Sequence, residues 1–285
     1  MSFPCTFRGI ADWADQFRTG VLIYTLAMGF LIASVMGWFL WTKWLPVWES
    51  SLAQLPAGSV IEKQRFATPT PTSVSLTSNR FISISVRTDP QSEISATSDV
   101  RVILDESDLR VGSLFGYMHL PYPEGYIIDL DPVQLQPWWL SRSYFFYLGG
   151  FTLIWIGFSV LWRVIAAIYW VPVFILTYLW GRTSSVGTIF RLNLLSLMPP
   201  ALFMTVALAL YGLEQLNLQE FLVANAIHIP MGWGIILLSV RKLEVRSLRP
   251  STDSSESKKT RTNPFDSNES NQADRNPRNP FGTSE

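Results

Sequence analysis

Charge is scarce in this sequence. Only 15% of its 285 residues are Asp, Glu, Lys or Arg, against about 25% in an average soluble protein, and the 22 basic residues cancel the 22 acidic ones. A balanced chain carries no basic footprint, which argues against nucleic acid as a partner. Cysteine occurs once, at Cys5, which excludes an intrachain disulfide framework and any Cys-x-x-Cys metal site. Histidine occurs only at His119 and His228, so ligands for a transition metal are almost lacking. The phosphate loop GxxxxGK[ST], the nucleophile elbow G-x-S-x-G and the zinc helix H-E-x-x-H are all absent. The expectation is a protein without a cofactor and without an enzymatic role.

What is abundant is aromatic and aliphatic surface, with 12 Trp and 18 Phe, and it is unevenly spread. Residues 21–41 (VLIYTLAMGFLIASVMGWFLW) are uncharged and at about 1.5 Å per residue are long enough to cross a hydrocarbon core of about 30 Å. This stretch is longer than the core of a signal peptide and no small-residue cleavage site follows it, so it is read as a retained transmembrane helix. Residues 143–180 form a second apolar block broken only by Arg163. One straight helix of that length would be about 57 Å long, so the block is expected to form two helices that meet at Arg163 near the headgroup boundary. Residues 192–211 and 221–240 supply two more, making five hydrophobic helices.

The intervening segments differ in kind. Residues 1–19 place Phe3, Phe7, Ile10, Ala14 and Phe17 at helical spacing, the pattern of a short amphipathic interfacial helix. Residues 43–142 are long enough for a domain, and RFISISVRT (80–88) and DVRVIL (99–104) alternate apolar and polar residues with the period of half-buried strands. Further strands are expected at 59–66, 73–76, 109–114 and 126–130, in a small, mainly antiparallel sheet, with turns at 68–73 and 89–93. Residues 241–285 are rich in Ser, Asn, Pro and charge, the composition of a disordered tail. This tail holds two Asn-Pro-Phe tripeptides, 263–265 and 279–281, of the kind that eukaryotic endocytic modules recognise. The fold class is therefore an α-helical polytopic membrane protein with a transmembrane helix at 20–42, a small inserted mainly-β domain, a membrane domain of four hydrophobic helices at 143–240, and a disordered C-terminal tail.

Bases near helix ends fix orientation. Arg182, Arg191, Arg241 and Lys242 put the 182–191 loop and the tail in the cytoplasm, while the 213–220 loop carries only Glu214 and Glu220. Five full crossings would then leave the β domain cytoplasmic. Arg8, Arg18 and Arg163 favour the opposite, a cytoplasmic N-terminus with four crossings and an extracytoplasmic β domain, the arrangement preferred here.

Chemistry-bearing residues are few. Asp105, Glu106 and Asp108 cluster between strands and Asp129 and Asp131 follow another, the pattern of solvated turns unless His119 and further groups converge on them. Within the hydrophobic segments the polar candidates are Asn225, His228 and Arg163, and Pro199, Pro200 and Pro230 would free backbone carbonyls there. These six residues form the candidate intramembrane site.

With LPAGSVIEKQRF (55–66), NRFISISVRTD (79–89), DVRVILDESDLRV (99–111) and FRLNLLSLMPPALF (190–203) in hand, the chain resembles a family of bacterial multi-spanning membrane proteins of unknown function, labelled maltodextrin-utilisation-like and grouped near the Yip-type membrane proteins. The resemblance implies a β insert on a helical base and no established activity. The expected role is that of an accessory or interaction protein of the bacterial inner membrane, with the lipid bilayer and a membrane or envelope protein as partners. The alternative is a small transporter or channel component.

Overall fold

The structure is a computed structural model that describes residues 6–69, 73–88, 97–182 and 184–244. Expectations for Phe3, for the whole tail beyond 244 with its two Asn-Pro-Phe tripeptides, for the 89–93 turn and for residues 70–72 of the 68–73 turn fall outside those residues. A short helix, α1 (Phe7–Gln16), opens the described chain, capped by Thr6, whose Oγ1 accepts from the Gly9 amide at 3.1 Å. Its apolar stripe, Ile10, Ala11 and Ala14, is buried. It packs on the helical bundle, so α1 belongs to the core.

The first apolar segment continues well past the expected residue 42. Helix α2 (Arg18–Phe39) passes through one π-helical turn (Leu40–Trp44) into α3 (Leu45–Ala53), giving a 36-residue run. Pro46 explains the wide turn: it has no N–H for the Thr42 carbonyl, and its ring displaces that carbonyl. The Leu45 amide bonds instead to the Leu40 carbonyl, five residues back.

The block at 143–180 departs from expectation. It belongs to a single helix, α4 (Pro132–Leu179), of 48 residues, unbroken at Arg163 and at Pro172. The two-helix expectation required the whole block to fit inside one hydrocarbon thickness. Instead α4 is accompanied at its start by α3 and at its end by α5 (Val186–Ser196), so it projects at both ends beside partner helices. Among the described residues four helices, rather than five, are long and apolar enough to cross a membrane. The others are the pair α5 and α6 (Met198–Gly212), and α7 (Leu218–Val240), which starts with a capping box between Asn217 and Glu220.

Helices α2 and α3 run antiparallel to α4 along nearly their whole length. Trp155 Nε1 donates to the Leu26 carbonyl at 3.0 Å, Phe30 stacks edge-on against Phe151 and Trp155, Trp41 meets Tyr147 at 4.6 Å, and Trp48 meets Trp139 at 6.0 Å. The ends of the bundle differ. At one end α1, Arg182, Ser184 and Ser185, and residues 241–244 gather: Arg191 donates to the Ala14 carbonyl and Arg182 to the Leu243 carbonyl. At the other end lie the 213–217 loop and the β region.

Two sheets make up the β region. Strands β1 (Val60–Glu62), β2 (Arg65–Ala67) and β8 (Ile128–Asp129) form an antiparallel sheet in the order β2-β1-β8. Residues 59–66, expected as one strand, are thus a hairpin. Its two-residue turn has positive φ at Lys63 and Gln64, a conformation usually signalled by Asn-Gly or Asp-Gly and not legible in Lys-Gln. The larger sheet runs β3 (Ser73–Ser78), β4 (Ile82–Arg87), β5 (Val100–Asp105), β6 (Asp108–Ser113), β7 (Gly116–Pro121), and β4 and β5 are parallel. Strand β7 had no counterpart in the sequence reading. Ser83 and Ser85, expected on a solvated face, are 2% and 3% exposed, because β4 is an inner strand and the larger Arg101 and Ile103 of β5 stand beside the two small side chains in register. On its apolar face Ile82, Ile84 and Val86 pack with Val47, Leu52 and Leu55 of α3 and its following turn.

The β region is bolted to the bundle. Phe81 is buried between Phe39 and Tyr211, the Tyr211 hydroxyl donates to Asp99 at 2.6 Å, Asn79 donates to the Lys43 carbonyl, and Arg80 donates to the Leu216 carbonyl at 2.7 Å. A Cβ at Gly212 would stand 2.9 Å from the Trp38 ring and 3.0 Å from the Phe39 ring, whereas one at Gly150 would meet nothing. Gly212→Ala should therefore cost about 1–3 kcal/mol through overpacking, while Gly150→Ala should gain about 0.5–1 kcal/mol of helix propensity. Thermal unfolding of the detergent-solubilised variants, followed by circular dichroism, distinguishes the two signs.

Candidate functional site

The polar candidates of the apolar helices divide between one cavity and its surroundings. Helices α2, α4, α6 and α7 enclose a space of about 530 Å³, within the range of about 300–1,000 Å³ that small-molecule sites occupy. Asn225, His228 and Pro200 are on its wall, with Met36, Trp162 and Thr205. The other three candidates lie elsewhere. Pro199 is half-buried beside it and Pro230 is exposed on the outside of α7. The Arg163 guanidinium folds back onto the Ser159 carbonyl of its own helix.

The prolines act as helix punctuation. Pro199 and Pro200 occupy the first turn of α6, where a missing N–H is tolerated, and they leave the Leu195 and Ser196 carbonyls without their helical donors. The chain breaks at Leu197 in consequence, and α5 and α6 become separate helices. This break sets Leu197 and Pro200 against Gly232 of α7, where a Cβ would stand in ordinary contact, 3.6 Å from the Pro200 ring.

The chemistry of the cavity follows from its few polar atoms. His228 bonds through Nδ1 to the Asn225 carbonyl one turn earlier; because a carbonyl only accepts, Nδ1 is the donor, and in the tautomer with that proton alone Nε2 is an acceptor. The Thr205 hydroxyl is engaged with the Ala201 carbonyl at 2.8 Å. What is left for an occupant is the Nε2 lone pair and the Asn225 amide in an otherwise apolar space. The wall holds no carboxylate, so the arrangement suits an apolar molecule with one or two hydrogen-bonding groups better than an ion.

The second cluster is in the β region, and there the carboxylates do converge. Asp105, Asp108 and His119 share one face of the larger sheet: Arg87 holds Asp105 by two bonds of 2.8 and 2.7 Å, Arg110 reaches Asp105 at 2.6 Å and Asp108 at 3.3 Å, and His119 Nδ1 is 2.7 Å from Asp108. Glu106 pairs at the surface with Arg65 at 3.4 Å. Asp129 accepts from the Asp131 amide and Asp131 caps α4 through the Val133 amide, so both are fold-forming. Sequence reasoning missed both arginines: Arg110 stands two residues from Asp108 in β6, a spacing that puts them on one face, whereas Arg87 meets Asp105 only through the register of the parallel strands β4 and β5.

With two guanidiniums on one buried carboxylate, this cluster is an ionic clamp across β4, β5 and β6. The hydrogen bond to Asp105 raises Arg87 above its ordinary value against the opposing cost of burial. Burial alone would raise Asp108, but its bonds to His119 and Arg110 outweigh that and hold it below the usual carboxylate range. Burial, then the charges of Asp105 and Asp108, push the Tyr122 phenol up, and its hydroxyl donates to the Asp105 carbonyl at 2.8 Å. No group of three or more potential metal ligands occurs among the described residues.

No protein family, no curated protein and no solved structure matches the chain.

The clamp has a definite pH signature. Because the Asp108 pKa is lowered on folding, its stabilisation is complete above the unfolded carboxylate value of about 3.9 and is lost as pH falls through the lower folded value. Protection of the β region from proteolysis should fade below about pH 4, and Asp108→Asn should abolish that acid dependence. Asp105→Ala leaves Arg87 partly buried without its carboxylate, while Arg110 keeps Asp108, and should cost about 3 kcal/mol in urea unfolding at neutral pH.

Proposed function

We propose that the chain is a four-pass integral membrane protein of the bacterial inner membrane. Its α1 end and tail face the cytoplasm, its β region lies on the opposite side, and it acts without catalysis as an accessory or interaction protein. The observation that carries this reading is the division of charge between the two ends of an even-numbered bundle. Arg18, Arg182, Arg191, Arg241 and Lys242 collect with α1 at one end, the arrangement the positive-inside rule assigns to the cytoplasm. At the other end the short 213–217 loop is acidic, and its Glu214 engages Lys43 at 2.8 Å, a bond that holds the Glu214 pKa down.

Exposed apolar surface supports the bilayer. Only 17% of the apolar window of α4 and 11% of that of α7 is buried, and Phe145, Leu153 and Ile168 are each more than half exposed; water would disfavour a surface of that extent. An interaction role is supported by β7, an edge strand whose Tyr117, Met118 and Leu120 are exposed and which offers unpaired backbone groups to a partner. The resemblance to bacterial multi-spanning proteins fits the same setting.

The test is labelling in intact cells with a membrane-impermeant thiol reagent, in a Cys5→Ala background. Phe115, which is 82% exposed at the β6–β7 turn, is the reporter. Phe115→Cys should be labelled without lysis and should co-purify with an envelope component in mild detergent. Labelling only after lysis would reverse the sidedness, and recovery as a solitary monodisperse monomer would count against an interaction role.

A second reading, a small transporter or channel component, is favoured by the cavity at Asn225 and His228. In proteoliposomes, His228→Ala should then reduce solute flux while Pro230→Ala, on the outer face of α7, leaves it unchanged. Equal flux in both variants would remove the cavity as a pathway.

A further inference from the structure

The larger sheet stands with one end on the helical bundle. Just before β4, Arg80 donates to the Leu216 carbonyl and Phe81 meets the Phe39 and Tyr211 rings; just before β5, Asp99 accepts from the Tyr211 hydroxyl. Both strands start at that end of the bundle and run parallel away from it. Strand β6, antiparallel to β5, therefore comes back toward the bundle, and β7 leaves it again. Register sets the level of the turn between them. Val100 pairs with Ser113, and Ser113 with Gly116, so Leu114 and Phe115 lie past that line on the bundle side, at the level of Asp99. With neighbouring strands about 4.8 Å apart, the turn stands about 10–15 Å to the side of β4.

Three features point to what this turn meets. The first is the contrast between the two ends of the sheet. At the far end the β5–β6 turn is Glu106 and Ser107, both exposed and polar; at the bundle end the β6–β7 turn is Leu114 and Phe115, 57% and 82% exposed, followed by Tyr117 at 57%. Large apolar side chains held together in the open mark an interaction surface. The second is depth. Lys43 and Glu214 are the first charges beyond the uncharged runs of α2 and α6, they pair at 2.8 Å, and Arg80 donates to the Glu214 carbonyl at 3.3 Å. These charges mark a hydrocarbon boundary, and the same residues anchor the strands whose register fixes the turn. The third is Arg101 of β5, whose guanidinium lies over the Tyr117 ring at 5.7 Å. A guanidinium beside exposed aromatic rings matches the layering of a lipid surface, phosphate above and acyl chain below.

We propose that the β6–β7 turn dips Leu114 and Phe115 into the headgroup and ester zone of the leaflet beside the bundle, with Tyr117 at the rim and Arg101 toward the phosphates. The partner of this surface is thus the bilayer that holds the protein. The proposal rests on the membrane reading, holds for either sidedness, and adds a lipid contact to the β region. Phe81 and Asp99 fix the sheet at β4 and β5; a second foothold two strands away resists its tilting and leaves the upper part of β7 in water, where its edge is open to a protein partner. A thiol replacing the Phe115 ring stays at headgroup depth, which a water-soluble reagent on that side reaches, so the topological test is unaffected.

The experiment uses the full-length protein with Cys5→Ala in phosphatidylcholine vesicles, carrying one nitroxide on Phe115→Cys, on Ser107→Cys at the far turn, or on Leu153→Cys on the exposed face of α4. Power-saturation spectroscopy compares collisions with oxygen, which concentrates in hydrocarbon, and with a neutral nickel chelate, which stays in water. The oxygen-to-nickel ratio at 115 should lie between those at 107 and 153 and nearer the second. With the label moved to Leu114→Cys, adding Phe115→Ser should lower the ratio at least about tenfold, the factor that about 1.4 kcal/mol of partition free energy sets, while the ratio at 153 stays unchanged and reports a folded, inserted protein. A ratio at 115 equal to that at 107, or one at 114 indifferent to Phe115→Ser, overturns the lipid contact alone. Shielding of position 115 from both reagents also overturns it, because protein then covers the turn. A nickel-dominated ratio at 153 overturns the membrane reading and the lipid contact with it.

Discussion

The close antiparallel packing of the 36-residue α2–α3 helix against the 48-residue α4 carries the rest of the molecule. It works because small residues on α2 meet large rings on α4: a Cβ on Gly37 would stand 3.1 Å from the Tyr147 hydroxyl and 3.3 Å from Phe151, and one on Gly29 would stand 3.3 Å from Trp155. These contacts bring the backbones near enough for Trp155 to donate directly to the Leu26 carbonyl. At one end the pair holds α1, α5 and the close of α7; at the other it extends beyond the apolar bundle as a stalk, and the core of the β region forms directly on α3.

Polar interactions in this fold are concentrated where they position large pieces. Asn79, Arg80 and Asp99 tie the β region to the tops of α2 and α6 around a buried Phe81. On the far face of the sheet Asp105 binds Arg87 and Arg110, joining neighbouring strands. Such a buried ionic cluster is a weak source of net stability compared with apolar packing, but loss of one member exposes the others to an unpaired burial. Its physical role is therefore register, fixing β4, β5 and β6 relative to each other.

Two spaces in the protein have different chemistry. The interhelical cavity has a histidine acceptor and an amide, set by the one-turn spacing of Asn225 and His228 on α7. The hollows along the seam between α2–α3 and α4 are lined almost wholly by apolar and aromatic side chains. In the first the polar groups choose the orientation of an occupant; the second offers shape alone. Both depend on the helices that sequence reading identified, yet neither space is visible in any single segment.

By itself the sequence determined the apolar helices at 21–41 and 221–240, the apolar character of 192–211 though not its division at Leu197 into α5 and α6, the amphipathic stripe of α1, and strands β3 to β6, because each is written in local periodicity and in the absence of charge over a known length. It also determined the short list of polar residues those helices contain. Tertiary structure decided the rest. Whether residues 143–180 turn at Arg163 depended on partner helices long enough to accompany α4 at both ends. The burial of Ser83 and Ser85 depended on the place of β4 within the sheet, and the pairing of Asp105 with Arg87 depended on a parallel crossover that no local pattern encodes. Of the six candidate residues, Asn225, His228 and Pro200 share a cavity and Pro199, Pro230 and Arg163 do not, since helical rotation and neighbour packing, which composition cannot specify, choose the side that faces inward.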